Sequence, residues 1–180
     1  MTKSLVIYFS MTNNTKKVAE MIAQELGADT YHIQAKQTYT SEDLNWHNNN
    51  SRANREQEDN NSRPEFAGQL PDLTKYDRIL IGHPTWWGIP PRIINTVIEK
   101  LDLSGKEIAT FSTSGGSTYD QAQKVMNELI GSDIKPGRVL SSKKDVENWL
   151  RDINFNHVAI TKGNSEWLEP VSDEEYNKLG

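Results

Sequence analysis

Two stretches of the chain carry residue types that could do chemistry. The first is Ser10-Met11-Thr12-Asn13-Asn14-Thr15, which follows the apolar run Leu5 to Phe9 and leads into a helix-forming segment. Ser10, Thr12, Thr15 and the two asparagines are neutral donors placed where the unpaired N–H groups and dipole of a starting helix already favour an anion such as phosphate. Lys16 and Lys17 are not needed for this, and lysines on a first helical turn are ordinarily solvated. The second stretch is His83-Pro84-Thr85-Trp86-Trp87-Gly88-Ile89-Pro90-Pro91. Its adjacent indoles stand between proline and glycine, with no periodicity to bury them, and offer flat surfaces for stacking on a flat heterocycle. Each stretch also has a plain structural reading: hydroxyl and amide side chains cap helices, and one of two indoles can close off a sheet core.

Other catalytic templates are missing. The chain has no cysteine, so neither a thiol nucleophile nor a disulfide framework is available, and redox chemistry would come from a bound cofactor. Its four histidines, His32, His47, His83 and His157, lack zinc-ligand spacing. His83 adjoins the tryptophan pair, but its position is that of an ordinary strand-end histidine. Ser112 and Ser114 do not form a Gly-x-Ser-x-Gly elbow, and no Gly-x-Gly-x-x-Gly or Walker sequence occurs. The formal net charge of -5 argues against a nucleic-acid binder. The apolar start is too short for a signal peptide and no run approaches the ~18 apolar residues of a membrane span, so a cytoplasmic protein with no membrane association is expected.

The elements that must position these stretches alternate. Residues 3–9 read as a buried strand, and Thr15 to Leu26 as a helix with Val18, Met21, Ile22 and Leu26 on one side, stopped by Gly27. Asp29 to Gln34 alternates as a strand. Arg78 to Gly82 and Glu107 to Phe111 read as strands, Ile93 to Leu101 and Thr118 to Ile130 as helices. Gly137 to Leu140 is a weaker strand, and Lys143 to Ile153 a helix with Ser142 as its cap. Such alternation in 180 residues implies one domain built on a parallel sheet covered on both faces. Two regions depart from it. The polar, asparagine-rich stretch 36–74 is long for a connection; its Trp46, Pro64 and Phe66 favour an ordered excursion near the site, with a short surface helix at Ser51 to Glu56. Its Arg52, Arg55 and Arg63 could hold a carboxylate or be merely solvated. After Ile153, Val158, Ile160, a Lys162-Gly163-Asn164 turn and Trp167-Leu168 suggest an edge hairpin, and Ser172 with Glu175 a capping box.

In an open parallel sheet, ligands bind beyond the carboxyl ends of the strands. Three loops therefore share one edge: the Ser10 loop, the Trp86 loop, and Ser112-Thr113-Ser114-Gly115-Gly116-Ser117. Taken in order, these loops resemble those of the flavodoxin family, in its branch with a long connection after the second strand. The resemblance covers residues 1–153 and implies a flavodoxin-like doubly wound α/β domain with five parallel strands in the order 2-1-3-4-5, helices on both faces, and a C-terminal extension, 154–180, packed on the same domain. It implies non-covalent FMN as cofactor, with phosphate donors at Ser10, Thr12, Asn13, Asn14 and Thr15. Ring contacts are implied at Pro84, Thr85, Trp86, Trp87 and Gly88, and at Thr113, Ser114, Gly115 and Gly116. Many members carry glycine where Asn13 stands, yet asparagine is the non-glycine residue that best tolerates a left-handed backbone.

The implied function is electron transfer, with no side-chain acid, base or nucleophile. A carrier of this kind would have a reductase and an acceptor protein as redox partners. The alternative is an FMN-dependent NAD(P)H:quinone-type oxidoreductase, in which the 36–74 loop and the tryptophans shape a second pocket for a small quinone-like acceptor.

Overall fold

The computed structural model describes residues 2–113 and 117–155. In chain order these form β1 (Ser4–Tyr8), α1 (Asn14–Leu26), β2 (Asp29–His32), α2 (Arg52–Glu58), β3 (Arg78–Pro84), α3 (Arg92–Lys100), β4 (Glu107–Thr113), α4 (Asp120–Leu129), β5 (Arg138–Val139) and α5 (Lys143–Asp152). The strands make one sheet in the order β2-β1-β3-β4-β5, parallel throughout, as the resemblance implies. Strand side chains alternate between faces, so the unbroken apolar runs of β1 and β3 feed two cores. Leu5, Ile7, Ile79 and Ile81 pack with Ile93 and Val97 of α3 and Met126 of α4. Val6, Tyr8, Leu80 and Phe111 pack with Val18 and Ile22 of α1 and with Val146, Trp149 and Leu150 of α5.

Helix ends follow local chemistry. Gly27 terminates α1 with a left-handed φ of 62°, and the Ser142 hydroxyl accepts from Asp145 N at 3.1 Å to cap α5. β3 continues two residues beyond Gly82, because His83 and Pro84 stay in register with Ser112 and Thr113 of β4. Proline, lacking an N–H, is admissible at such a strand end.

The 36–74 stretch is an ordered excursion. It starts and ends beside the sheet through the Ala35–Phe66 bridge, with Lys36 N donating to Glu65 O and Ala67 N to Gln34 O. Tyr39 and Leu73 enter the core. Its helix differs from the expected surface helix: α2 buries Ala53, Asn54 and Gln57, because the helix is docked against the Trp86 loop. The expected hairpin and capping box of the tail lie outside the described residues. Among the described residues no helix is long and apolar enough to cross a membrane.

In the middle of the sheet, packing requires a glycine at position 82. Gly82 is the register partner of Phe111, and a Cβ there would overlap the Phe111 ring. Gly82→Ala should therefore destabilise the fold by about 1–3 kcal/mol, the usual penalty of overpacking. The check is a lowered urea midpoint at unchanged slope; equal midpoints would show that the ring has other room.

Candidate functional site

The first loop leaves the carboxyl end of β1 beside β3, where Phe9 N donates to Gly82 O at 3.1 Å. It then turns into α1 through Asn13, whose φ of 69° is left-handed, the conformation anticipated for this position. Asn13 O accepts the first helical bond, from Lys17 N at 3.0 Å. The Ser10 hydroxyl reaches forward to accept from Lys16 N at 3.2 Å. The N–H groups of Asn14 and Thr15 have no acceptor within a helix that starts at Asn14. Thr15 is buried, and its hydroxyl lies 2.7 Å from that of Thr113, so the first loop is tied directly to the end of β4.

The second loop is a tight hairpin. Trp86 N donates to Ile89 O at 2.9 Å and Ile89 N to Trp86 O at 3.4 Å. The central residues Trp87 and Gly88 have φ of 58° and 83°, the two positive values of a type I′ turn. Gly88 adopts this freely; Trp87 does not, since a positive φ is an outlier for a bulky residue. The two indoles diverge. Trp86 packs inward, edge-to-face with Phe9 at 6.2 Å and Tyr39 at 5.4 Å, while Trp87 stays 61% exposed.

Two buried amides of α2 hold this turn. Gln57 Nε2 donates to Trp86 O at 2.9 Å and Pro90 O at 3.2 Å, and its Oε1 accepts from Arg92 N at 3.2 Å. Asn54, one helical turn earlier, accepts from Trp87 Nε1 at 2.6 Å. Arg92, also buried, donates back to Glu56 O, Gln57 O and Asn60 Oδ1, fastening α2 to the start of α3.

These parts enclose a cavity of about 710 Å3. Of the residues expected from the sequence, Thr12, Asn14, Pro84, Thr85, Trp86, Trp87 and Thr113 line it. Ser10, Asn13, Thr15 and Gly88 shape the loops behind that lining. Ser114, Gly115 and Gly116 lie outside the described residues. From the excursion, Trp46, which the sequence marks as a sign of order near the site, stands in the cavity wall with Leu44, Ala53 and Asn54, which sequence reasoning missed. The one available signal was Trp46, an aromatic residue in an otherwise polar run. Two of the excursion's arginines have structural partners: Arg52 lies 3.7 Å over the Tyr39 ring and pairs with Glu56 inside the excursion, and Arg63 forks onto Glu99 of α3. Thr85 Oγ1 is buried without a hydrogen-bond partner among the described residues. No cluster of metal-ligating side chains occurs among them either.

His83 takes no place in the cavity lining. It is fully buried, with Nδ1 2.8 Å from Pro84 O and Nε2 3.0 Å from Tyr119 Oη. A carbonyl only accepts, so the neutral ring carries its proton on Nδ1, and Nε2 faces the Tyr119 hydroxyl. Tyr119 Oη is also 2.6 Å from Thr110 Oγ1. Burial pushes the imidazole down to about 4, partly offset by the bond to Pro84.

Fold and site together define a doubly wound α/β protein with its ligand crevice beyond the carboxyl ends of the central strands. A family model described as Flavodoxin matches residues 3–153, and the chain belongs to the flavodoxin family. Among solved structures, a candidate flavoprotein from Bacteroides eggerthii is 39% identical, with a TM-score of 0.81 and coverage of 86% of this chain and 99% of that one. A second, from Bacteroides uniformis, is 40% identical, with a TM-score of 0.79 and coverage of 83% and 98%. A flavoprotein from Lactobacillus acidophilus, solved in complex with FMN, is 27% identical, with a TM-score of 0.67 and coverage of 83% and 99%. No protein of curated function matches significantly.

The buried histidine makes stability depend on pH. The unfolded chain binds the imidazole proton below about 6.5 and the folded chain only below about 4, so the unfolded state holds more protons between these values. This contribution is fully present above about pH 6.5 and is lost as pH falls toward 4, by up to about 3 kcal/mol at 1.36 kcal/mol per pKa unit. His83→Gln should flatten that part of the curve, as read from urea unfolding of both proteins at pH 7, 5.5 and 4.5. Parallel curves would show that His83 does not titrate differently on folding.

Proposed function

We propose that this chain is an FMN-binding electron-transfer protein of flavodoxin type, with the phosphate at the start of α1 and the ring against the Trp86 turn. The observation that carries the reading is the single cavity lined by the loops after β1 and β3 and by the end of β4, with the Thr85 hydroxyl, unpartnered among the described residues, buried in its wall. A buried hydroxyl without a partner fits a ligand that presents polar atoms to that wall. The FMN complex of the relative from Lactobacillus acidophilus supports the choice of cofactor.

FMN bound there would supply the redox chemistry, which no thiol of this chain can provide. The protein's own part is binding, orientation and charge. Phosphate binding falls to Thr12 and Asn14, to the first-turn N–H groups of α1, and to Ser10, Asn13 and Thr15, which fix the loop. The Thr15–Thr113 hydroxyl pair holds the phosphate end and the third loop at a set separation. Pro84 to Gly88 wall the ring, with the Trp86 carbonyl held by Gln57. Ser114, Gly115 and Gly116 complete the third loop, where main-chain donors facing the ring would stabilise negative charge gained on reduction. The acidic chain opposes such charge. In this role the partners are a reductase and an acceptor protein, in a cytoplasmic setting, and no side chain acts as acid, base or nucleophile.

A second reading, an FMN-dependent NAD(P)H:quinone-type reductase, is favoured by one observation. The excursion brings Trp46 and Leu44 into the cavity wall, beyond what the three loops provide.

Titration with FMN should quench tryptophan emission and saturate at one equivalent, and stepwise reduction should accumulate one-electron-reduced flavin in the absorbance spectrum. Absence of quenching would remove both readings. Thr12→Val should weaken FMN about tenfold, the loss of one hydrogen bond to a charged group, and leave phosphate-free riboflavin unaffected. Equal losses for both would place Thr12 away from the phosphate. The carrier should oxidise NADH or NADPH slowly when alone. Rapid steady consumption of either nucleotide with a quinone, and no second protein, would replace the carrier by the reductase.

A further inference from the structure

The loop that enters α1 offers a phosphate only neutral side-chain donors and main-chain N–H groups, so the ionisable groups beside it decide how the phosphate's charge is met. One of them comes from β2, a strand with no described residue in the cavity lining. His32 is the last residue of β2 and the register partner of Tyr8, two positions before Ser10. Register partners share a face of the sheet, and Tyr8 packs with Val18 and Ile22 of α1. His32 therefore stands on the α1 side, at the carboxyl edge where the phosphate loop begins.

Three contacts fix its ring. The imidazole is stacked on Tyr8, with centroids 4.6 Å apart and planes at 15°, and its Nδ1 lies 3.3 Å from Gln34 Nε2. It also hydrogen-bonds the main chain of Ser10, whose hydroxyl in turn accepts from Lys16 N. An amide N–H only donates, so Nδ1 is an acceptor and the neutral ring carries its proton on Nε2. Burial holds the ring below the usual 6.5; the bond to Ser10 opposes this, and the Lys16 ammonium adds to it. His32 is thus mainly neutral at pH 7 in the free protein. From the elements packed against it, Tyr8 of β1 and Lys16 of α1 are the titratable groups that face it among the described residues. Glu20, one turn further along α1, acts on the Tyr8 hydroxyl.

We propose that His32 is the adjustable counter-charge of the phosphate site: as a phosphate dianion enters the loop, His32 takes one proton from solvent onto Nδ1 and becomes imidazolium. The inference rests on the FMN reading above and deepens it by naming the group whose charge responds to the cofactor. Lys16 is charged before and after binding, so only a group near neutrality can respond. Gln34 is exposed, so its amide is free to turn and present Oε1 to the new N–H. The bond to Ser10 persists, because protonation removes no donor from the ring. An opposite charge nearby favours the ionised form, so phosphate and proton strengthen each other's binding by the same factor. The proton moves on cofactor binding and takes no part in electron transfer.

The test follows the His32 ring by NMR in the full chain, free and loaded with FMN, its signal identified by the nuclear Overhauser contact with the stacked Tyr8 ring. FMN should move the ring's titration midpoint to higher pH. Riboflavin, which carries the same ring system without phosphate, should leave it unmoved. Between the two midpoints only the complex holds the proton, so FMN affinity gains as pH falls through that window. His32→Gln, which keeps a side-chain donor but does not titrate, lacks this gain. The ratio of its FMN Kd to that of wild type should be near one at high pH and rise to about fivefold on acidification, the scale of a partly solvated ion pair. The phosphate's own ionisation near about pH 6 affects both proteins alike and drops out of the ratio. A ratio that stays level with pH would reduce His32 to a brace of the loop and overturn the proposal. An unmoved midpoint in the FMN complex, or an equal shift with riboflavin, would overturn it as well. Failure of wild type to bind FMN would instead defeat the FMN reading, and the counter-charge with it.

Discussion

A parallel sheet buried on both faces leaves polar groups only its ends. In this chain α1 and α5 cover one face and α3 and α4 the other, so the side chains of β1 and β3 point into core on either side. Hydrogen-bonding capacity that must meet a ligand is then concentrated where the strands stop and backbone N–H groups of the following helices are still unpaired. The site follows from this. β1, β3 and β4 are adjacent in the sheet, so the loops that leave β1 and β3 and the carboxyl end of β4 converge without any long-range design beyond strand order. The Thr15–Thr113 hydrogen bond is a direct expression of that order, two hydroxyls brought to 2.7 Å by strands that flank β3.

Upon this frame the excursion between β2 and β3 adds rigidity at one place. α2 has few apolar residues to bury, and it docks chiefly through polar groups: Gln57 donates to backbone carbonyls of the Trp86 turn, Asn54 accepts from the Trp87 indole, and Arg92 of α3 donates back to carbonyls of α2. Buried polar groups specify geometry more sharply than apolar contact because each unmet donor or acceptor is costly. The turn is correspondingly fixed, including a tryptophan in a backbone region that it would not choose alone. Beneath it, the His83–Tyr119 pair makes the same use of buried polarity. The neutral imidazole joins the carbonyl of Pro84 to α4's preceding residue Tyr119, so the end of β3 is supported from inside the sheet as well as from α2.

How much of this was legible depends on how local each signal is. Strand and helix positions were readable because apolar periodicity records which side of an element is buried, and boundaries moved by a residue or two where pairing extended a strand, as at His83 and Pro84. The Ser142 cap and the left-handed Asn13 were readable because their causes lie within four residues. The burial of α2 was not. Asn54 and Gln57 look like surface residues, and only contacts with Trp87, Trp86 and Pro90, some thirty positions away, make them interior.

The sequence by itself determined the α/β class, the strand order through its family resemblance, and the three loops that gather at one edge of the sheet. These follow from patterning and from the rule that open parallel sheets present their ligands at strand ends. Tertiary structure alone decided that Trp86 turns inward while Trp87 faces out, that Thr15 bonds to Thr113, and that the polar excursion closes one wall of the cavity. The reason is physical: adjacent identical residues have no local preference that distinguishes them, and a polar side chain becomes a structural one only when distant backbone groups, brought near by the fold, leave it no water to bond.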